Sequence, residues 1–151
     1  MLTWNAAHHA LGVAEMDATH EEFACLVGEA THASDEDFPY LLNALVEHAR
    51  RHFDNESRLM RECAFPAVAE HEAEHRRVLG ELVLIQNAVE EGRLRFARLY
   101  VSQGMPAWFR NHLATMDAAL AACLKRAAAP RPTAAPAPEP GTFRASPDPV
   151  L

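Results

Sequence analysis

The sequence has little positive charge and no long apolar run. Lysine and arginine make up 14 of the 151 residues, aspartate and glutamate 21, and the formal net charge is −7. With Lys125 as the single lysine, no basic surface is expected for nucleic acid or an anionic membrane. No apolar run approaches the roughly 18 residues of a membrane-spanning helix, and the N-terminus lacks a signal-peptide layout. Nucleic acid and membrane are therefore not expected as partners.

Cysteine is also scarce. Cys25, Cys63 and Cys123 are widely spaced and form no Cys-x-x-Cys pair. Three isolated cysteines do not make the pattern of a disulfide framework or a zinc site. We interpret them as reduced thiols, which predicts a cytoplasmic protein.

Apolar residues make up 49% of the chain and recur at helical spacing along four segments. The predicted helices cover residues 17–31, 37–62, 66–91 and 94–124. The predicted fold is therefore all-α, a four-helix bundle that follows an irregular segment at residues 1–16. Within the fourth helix, Gly104 and Pro106 should break or kink the backbone before Trp108.

The composition changes after Arg126. Residues 127–151 contain seven of the ten prolines and almost nothing to bury. The predicted organisation is one domain at 1–126 and a disordered Pro/Ala-rich tail at 127–151. A docking role for the tail is less favoured than an inert extension.

Side chains that bind metals occur on all four predicted helices. Two pairs have the i, i+4 spacing that places side chains on one helix face. One such pair is commonplace, but four helices that each offer a metal-ligand side chain in register are not. Imidazole and carboxylate together favour iron over calcium or magnesium, so the prediction is two irons in the bundle core, with seven candidate ligands: His20, His52, Glu56, His71, His75, His112 and Asp117.

The last pair has an unusual spacing. His112 and Asp117 are five residues apart, which at about 100° per residue leaves them roughly 140° out of line on a regular helix. Either a long reach or a π-bulge would bring them together, and π-bulges are frequent at functional sites. The spacing alone leaves both possibilities open.

The ligand set limits the chemistry. If both carboxylates and an oxo or hydroxo group bridge two octahedral non-haem irons, each iron has three oxygen ligands and room for three more. Five histidines can then be shared only as three and two. One iron then keeps an open position for a small ligand, as catalytic zinc does. A histidine-rich set should stabilise high-valent iron poorly, and apolar walls should keep proton donors away, so reversible binding of dioxygen is favoured over oxygenation. The predicted pocket residues are Phe23, Phe53, Trp108 and Leu113.

These residues resemble the hemerythrin family, and specifically its single-domain bacterial members. The resemblance runs from Trp4 to about Leu124, and each motif is moderately specific. In order along the chain they are Trp4, Gly12-Val13, Met16-Asp17-Ala18-Thr19-His20, His52-Phe53-x-x-Glu56-x-x-Leu59-Met60, Phe65-Pro66, His71-x-x-x-His75 and Trp108-Phe109-x-x-His112-x-x-x-x-Asp117.

The resemblance implies an antiparallel up-down four-helix bundle with irregular N-terminal residues packed on it. It also implies reversible oxygen binding for storage, delivery or sensing, and it makes five-residue spacing the family's own pattern for the last pair. The roles it implies are His71, His75 and His112 on one iron, His20 and His52 on the other, which takes oxygen, and Glu56 and Asp117 bridging both.

Departures from the family pattern are few. Ser57 stands where a second glutamate is common, and His48 where an aromatic residue is usual. The Gly104–Pro106 segment is also unusual for the family and should loosen the approach to Trp108. Two other functions compete with oxygen binding: a di-iron oxidase, peroxidase or nitric-oxide-handling enzyme, and a signalling module. The partners expected are dioxygen and an oxygen-consuming enzyme.

Overall fold

A computed structural model describes residues 2–130 of the chain. The described part is all-α, and the predicted tail lies outside it except for its first four residues. Three regular helices follow a short one, and a fifth, composite helix ends the described chain. Their bounds are α1 Ala6–His9, α2 Ala14–His32, α3 Phe38–Glu62, α4 Val68–Glu90 and α5 at residues 94–128.

The four long helices form the predicted antiparallel bundle. Each follows the last through a linker of three to five residues, at 33–37, 63–67 and 91–93, and such short linkers make consecutive helices antiparallel neighbours. Helix α2 packs on α3, α3 on α4 and α4 on α5, while α5 returns to α2 and closes the bundle. No helix within residues 2–130 is long and apolar enough to span a membrane.

The bundle core has three layers along its axis. A large apolar cluster, with Phe23, Leu45, Val78 and Phe109 among its members, fills one end. A smaller apolar cluster, built on Met16, Leu59, Met60, Leu120 and Ala121, fills the other. Along α3, Glu56 lies between Phe53 of the large cluster and Leu59 of the smaller one, and along α5, Asp117 lies between Leu113 and Leu120. The buried polar residues thus form a layer with an apolar cluster at either end.

The N-terminal segment is more ordered than predicted. Residues 6–9 form α1, and α2 begins at Ala14 rather than Asp17. The two backbone N–H groups of Leu11 and Gly12 donate to the Asp17 carboxylate at 2.6 and 3.0 Å. Gly12 has φ +76°, and a Cβ there would lie 2.9 Å from the Lys125 Nζ atom. Glycine is therefore needed where this segment turns onto the bundle.

Of the two outcomes expected at Gly104–Pro106, a break or a kink, the break does not occur. Gly104 and Met105 keep helical backbone angles, and α5 passes through a π turn at Tyr100–Gly104 into the next α-helical segment, Met105–His112. The Met105 N–H group donates to the Tyr100 carbonyl, one residue further back than in an α-helix. Proline disrupts a helix through its missing N–H and its clash with the carbonyl four residues earlier, and a widened turn accommodates both.

Candidate metal centre

The structure brings the seven predicted ligand residues together in the polar layer. They come from α2, α3, α4 and α5, and each is between 0 and 4% exposed. The ligand atoms form two groups, and within each group all atoms lie within 4.8 Å of one another. One group comprises Glu56, His71, His75, His112 and Asp117, and the other comprises His20, His52 and Glu56. Since Glu56 belongs to both, the two groups are adjacent.

A π turn brings the last pair of residues together. Residues Leu113–Asp117 form this second π turn of α5, between the α-helical segments Met105–His112 and Ala118–Ala128. A π turn adds a residue to the helical turn, so side chains five apart come onto one face. The His112 Nε2 atom is 3.1 Å from Asp117 Oδ1. Of the two possibilities left open by the spacing, the π-bulge is the one the structure adopts.

Each carboxylate faces both groups of histidines. Glu56 Oε1 lies 2.9 Å from His52 Nε2 and 3.3 Å from His20 Nε2. Its other oxygen, Oε2, lies 3.3 Å from the Nε2 atoms of both His71 and His75. A carboxylate with one oxygen toward each group has the shape of a bridge between two ions.

Asp117 repeats this arrangement from the opposite side of the bundle. Its Oδ2 atom is 3.3 Å from His20 Nε2, and its Oδ1 atom is 3.2 Å from His71 Nε2. Both Asp117 oxygens and Glu56 Oε2 are buried without a hydrogen-bond partner within the described chain. Buried carboxylate oxygens that lack partners are costly unless a cation neutralises them.

The imidazole nitrogens also fit a shared cation. The Nε2 atom of His112 is 3.2 Å from that of His71 and 3.0 Å from that of His75. Two imidazole nitrogens that each bind one ion at about 2.1 Å lie about 3 Å apart when they subtend a right angle. The imidazoles, the buried carboxylates and the spacing of the donor atoms therefore all suit metal binding at this position.

Ring packing, rather than a hydrogen bond at Nδ1, orients the histidines. Over residues 2–130, the Nδ1 atoms of His20, His52, His71, His75 and His112 have no hydrogen-bond partner. Aromatic rings cover the imidazoles instead. Phe53 stacks on His75 with ring centroids 3.9 Å apart, and Trp108 stacks on His112 at 4.8 Å. The orientation of these two rings therefore depends on their aromatic neighbours.

The two carboxylates and two of the histidines shift one another's pKa values. Burial lowers the pKa of His20 and of His71, but the carboxylates of Asp117 and Glu56 outweigh it and raise both pKa values to about 9. Burial would raise the pKa of Glu56, but His52, His20 and His71 bring it well below its usual value. Without a metal, protons on imidazole therefore supply the positive charge that the carboxylates need.

We expect the metal-free protein to lose stability as the pH rises through about 9. The folded-state pKa values of His20 and His71 lie above the ordinary 6.5, so their contribution is complete below pH 6.5 and is lost as they deprotonate. Thermal unfolding of chelated protein from pH 6 to 9.5 should show a fall of several degrees in midpoint. A His20→Gln/His71→Gln variant is the control. If wild type and variant have the same pH profile, these two histidines do not carry the effect.

Of the four predicted pocket residues, the three aromatic ones lie together next to the candidate ligands. Phe23, Phe53 and Leu113 are buried in the large apolar cluster, and Trp108 packs against that cluster. The Trp108 ring centroid is 5.9 Å from that of Phe53 and 6.3 Å from that of Phe23. One further aromatic residue was missed: Phe109, 1% exposed, packs edge-on against the His20 ring at 5.7 Å. Its helical spacing with His112 and Leu113 was the available signal.

A hydrogen bond to a carboxylate on α4 orients Trp108. The indole Nε1–H group donates to Glu74 Oε1 at 2.9 Å, and Arg77 donates to both Glu74 oxygens. Arg77 is the main reason that the pKa of Glu74 falls to about 2, so this carboxylate is ionised at neutral pH. Sequence reasoning missed this role, because only the fold shows that Trp108 reaches Glu74.

We expect Glu74→Ala to release Trp108 from its position. The indole N–H group would lose its acceptor, a bond to a charged group that contributes roughly 1.5–3 kcal/mol. In a Trp4→Phe background, where Trp108 is the only tryptophan, its fluorescence emission should shift to longer wavelength. Glu74→Gln keeps a carbonyl acceptor and should shift it less, and Glu72→Ala serves as a control on the same helix. Equal spectra for all variants would contradict the assignment.

His48 is a buried histidine next to the centre. It is 6% exposed, its ring centroid is 5.9 Å from that of His52, and its Nε2 atom is 3.4 Å from the Glu22 carboxylate. Burial is the main cause that lowers its pKa. It stands one turn before His52 on the inner face of α3, outside both groups of ligand atoms.

Fold and site together define a metal-binding four-helix bundle whose donors are buried histidines and carboxylates. The family model described as "Hemerythrin HHE cation binding domain" matches residues 11–124. The chain therefore belongs to the hemerythrin family, whose members bind non-haem iron at a two-metal site and typically bind oxygen.

Relatives with known names agree with this assignment. A bacteriohemerythrin from Ralstonia nicotianae is 32% identical over 117 residues, which are 78% of this chain and 84% of that protein. A bacteriohemerythrin from Methylococcus capsulatus is 23% identical over 128 residues, or 82% and 97% of the two chains. A crystal structure of wild-type hemerythrin superposes with a TM-score of 0.69 at 24% identity and covers 82% of this chain and 98% of its own.

Proposed function

We propose that this protein binds dioxygen reversibly at a pair of non-haem irons, bridged by two carboxylates and an oxo or hydroxo group. The observation that carries the proposal is the position of Glu56 and Asp117, each with one oxygen toward each group of histidines. In this proposal the domain is residues 1–126, and the ligand roles are His71, His75 and His112 on one iron, His20 and His52 on the other, and Glu56 and Asp117 on both.

The irons, when bound, would supply the two electrons that dioxygen accepts and returns. The protein's own residues keep this exchange free of side reactions. Phe23, Phe53 and Leu113 are between 0 and 4% exposed and carry no group that donates a proton. Trp108 has one such group, its indole N–H, and this group donates a hydrogen bond to Glu74. A dry pocket without a free proton donor favours release of intact oxygen over its reduction.

The uneven sharing of histidines supports one accessible metal position. Three histidines face one side of the carboxylates and two face the other. If both metals take the same number of ligands, the metal bound by only two histidines keeps one position for a small ligand. This is the position that His20 and His52 serve, beside the rings of Phe23 and Phe109.

The physiological role proposed is oxygen storage, delivery or sensing in the cytoplasm, with an oxygen-consuming enzyme as the recipient in the case of delivery. The three cysteines are free thiols, as expected in a reducing compartment. The rival function is a di-iron oxidase, peroxidase or nitric-oxide-handling enzyme. That chemistry needs a route for protons and a place for a reductant, and the pocket walls provide neither. We therefore propose a non-enzymatic oxygen carrier.

Reversible uptake of oxygen tests the proposal. Protein purified from iron-replete cells should contain about two irons per chain, as the seven-ligand set predicts. After anaerobic reduction, adding oxygen should change the optical spectrum, and removing oxygen should restore it over repeated cycles. One metal ion per chain, or mainly zinc, would overturn the two-iron assignment. Rapid, continuous oxidation of a reductant in air would favour the enzyme.

A further inference from the structure

Two of the three cysteines lie side by side at the end of the bundle beyond the metal centre. Cys63 follows the last residue of α3, and Cys123 lies in the last segment of α5, Ala118–Ala128. The Cys123 Sγ atom is 3.1 Å from the Cys63 carbonyl oxygen, although the two residues are 60 apart in sequence. The Cys63 thiol contacts the Met60 carbonyl at 3.8 Å, and the nearby Cys123 thiol contributes to the raised pKa of Cys63. The two thiols are therefore close neighbours.

The bundle geometry that assembles the metal centre also pairs these thiols. Cys63 follows Glu56 by seven residues on α3, so it lies on the same helix face about 10 Å further along. Cys123 follows Asp117 by six residues on α5. The two helices that bring the two carboxylates together therefore meet again, about two turns later, at the two cysteines.

The two thiols differ in access to solvent. Cys123 is 7% exposed, whereas Cys63 is half-buried and packs against the smaller apolar cluster. Small oxidants can therefore reach Cys63 first, and Cys123 is placed behind it. Cys25 on α2 is exposed and is the third free thiol. Its Sγ atom contacts the Glu29 carboxylate on the same helix.

We propose that Cys63 and Cys123 form a redox-active dithiol that closes to an intramolecular disulfide when the protein meets hydrogen peroxide. The Cys63 thiolate attacks one peroxide oxygen, the O–O bond breaks, and water leaves after protonation. The Cys123 sulfur then attacks the resulting sulfenic acid, the S–S bond forms, the S–O bond breaks, and a second water leaves. Two thiols and one peroxide thus give one disulfide and two waters.

The reaction is expected to be slow. Burial, and then the Cys123 thiol, raise the pKa of Cys63 to about 11, so little thiolate is present at neutral pH. The pair would therefore respond to sustained rather than brief exposure. The disulfide would tie α3 to α5 next to the metal centre. Its formation depends only on the two thiols, so it is independent of the oxygen-binding function proposed above.

Thiol counting and peptide mapping test the proposal. Reduced, iron-loaded protein is exposed to hydrogen peroxide, and thiols are counted in denaturant. The number should fall from three to one per chain. Trypsin digestion without reductant should then give one cross-linked species that joins residues 62–76 to residues 111–125, and reductant should separate them. The midpoint of thermal unfolding should rise by roughly 10 °C and return on reduction.

Two matched variants make the result specific. Cys25→Ser should lose both remaining thiols without forming an intermolecular disulfide, whereas Cys123→Ser should form no intramolecular cross-link. The experiment is repeated with oxidised glutathione as the oxidant, so that no peroxide can react at iron. One oxidised glutathione takes up the two thiol hydrogens and becomes two molecules of reduced glutathione. The proposal is overturned if only Cys25 is oxidised or if oxidation gives Cys25-linked dimers. Conversion of Cys63 and Cys123 to separate sulfinic acids would overturn it as well.

Discussion

Glu56→Ala should cost the protein most of its iron, and more than His20→Ala does. The Glu56 carboxylate faces both groups of histidines, with Oε1 toward His20 and His52 and Oε2 toward His71 and His75. Its removal would withdraw one donor from each iron and one negative charge from between two cations. His20→Ala would withdraw one neutral donor from one iron. We expect iron affinity to be roughly tenfold or more weaker in Glu56→Ala than in His20→Ala.

Iron per chain after identical purification, followed by titration with a chelator, measures this difference. Glu56→Gln separates charge from shape, because the amide keeps one acceptor oxygen but no charge. Its iron content should lie between those of Glu56→Ala and His20→Ala. Helical content by circular dichroism shows whether each variant folds. If folded Glu56→Ala keeps as much iron as His20→Ala, Glu56 does not bridge two irons.

Much of the fold was predictable because helical period and ligand spacing agree. The i, i+4 pairs His52/Glu56 and His71/His75 point inward on the same stripes that carry the apolar residues, so one pattern indicated both core and site. Predicted and observed ends of α3 and α4 differ by two residues or fewer. The hemerythrin resemblance rested on the same residues, and the family match confirms it.

The remaining features depend on contacts that no local pattern contains. A proline inside a helix normally interrupts it, and only the widened turn at Tyr100–Gly104 shows how α5 continues through Pro106. The Trp108–Glu74 bond joins residues 34 apart, so an acid that reads as part of a solvated face orients a pocket ring. The N-terminal helix Ala6–His9 has only four residues and lacks enough periodicity to be recognised.

Leu113→Ser should speed autoxidation of the oxygen-binding form at least several-fold. Leu113 is 3% exposed, lies directly after His112, and opens the π turn that ends at Asp117. Replacing its isobutyl group with a hydroxymethyl group leaves space beside the ligands and adds a group that holds water. Water brings the protons that an apolar wall excludes, and reduction of oxygen consumes protons whereas release of intact oxygen does not. Protonation therefore shifts the outcome from release toward oxidation of the irons.

The rate of conversion to the diferric form, followed optically in air-equilibrated buffer, measures the effect. Leu120→Ser is the matched control, since Leu120 is equally buried on α5 but belongs to the smaller cluster at the other end of the bundle. Both variants should lose about 2–5 kcal/mol of stability through the cavity they create. Only Leu113→Ser should also autoxidise faster, because only its cavity opens on the pocket. If the two variants autoxidise at equal rates, any change is due to loosened packing, and Leu113 is not part of the pocket wall.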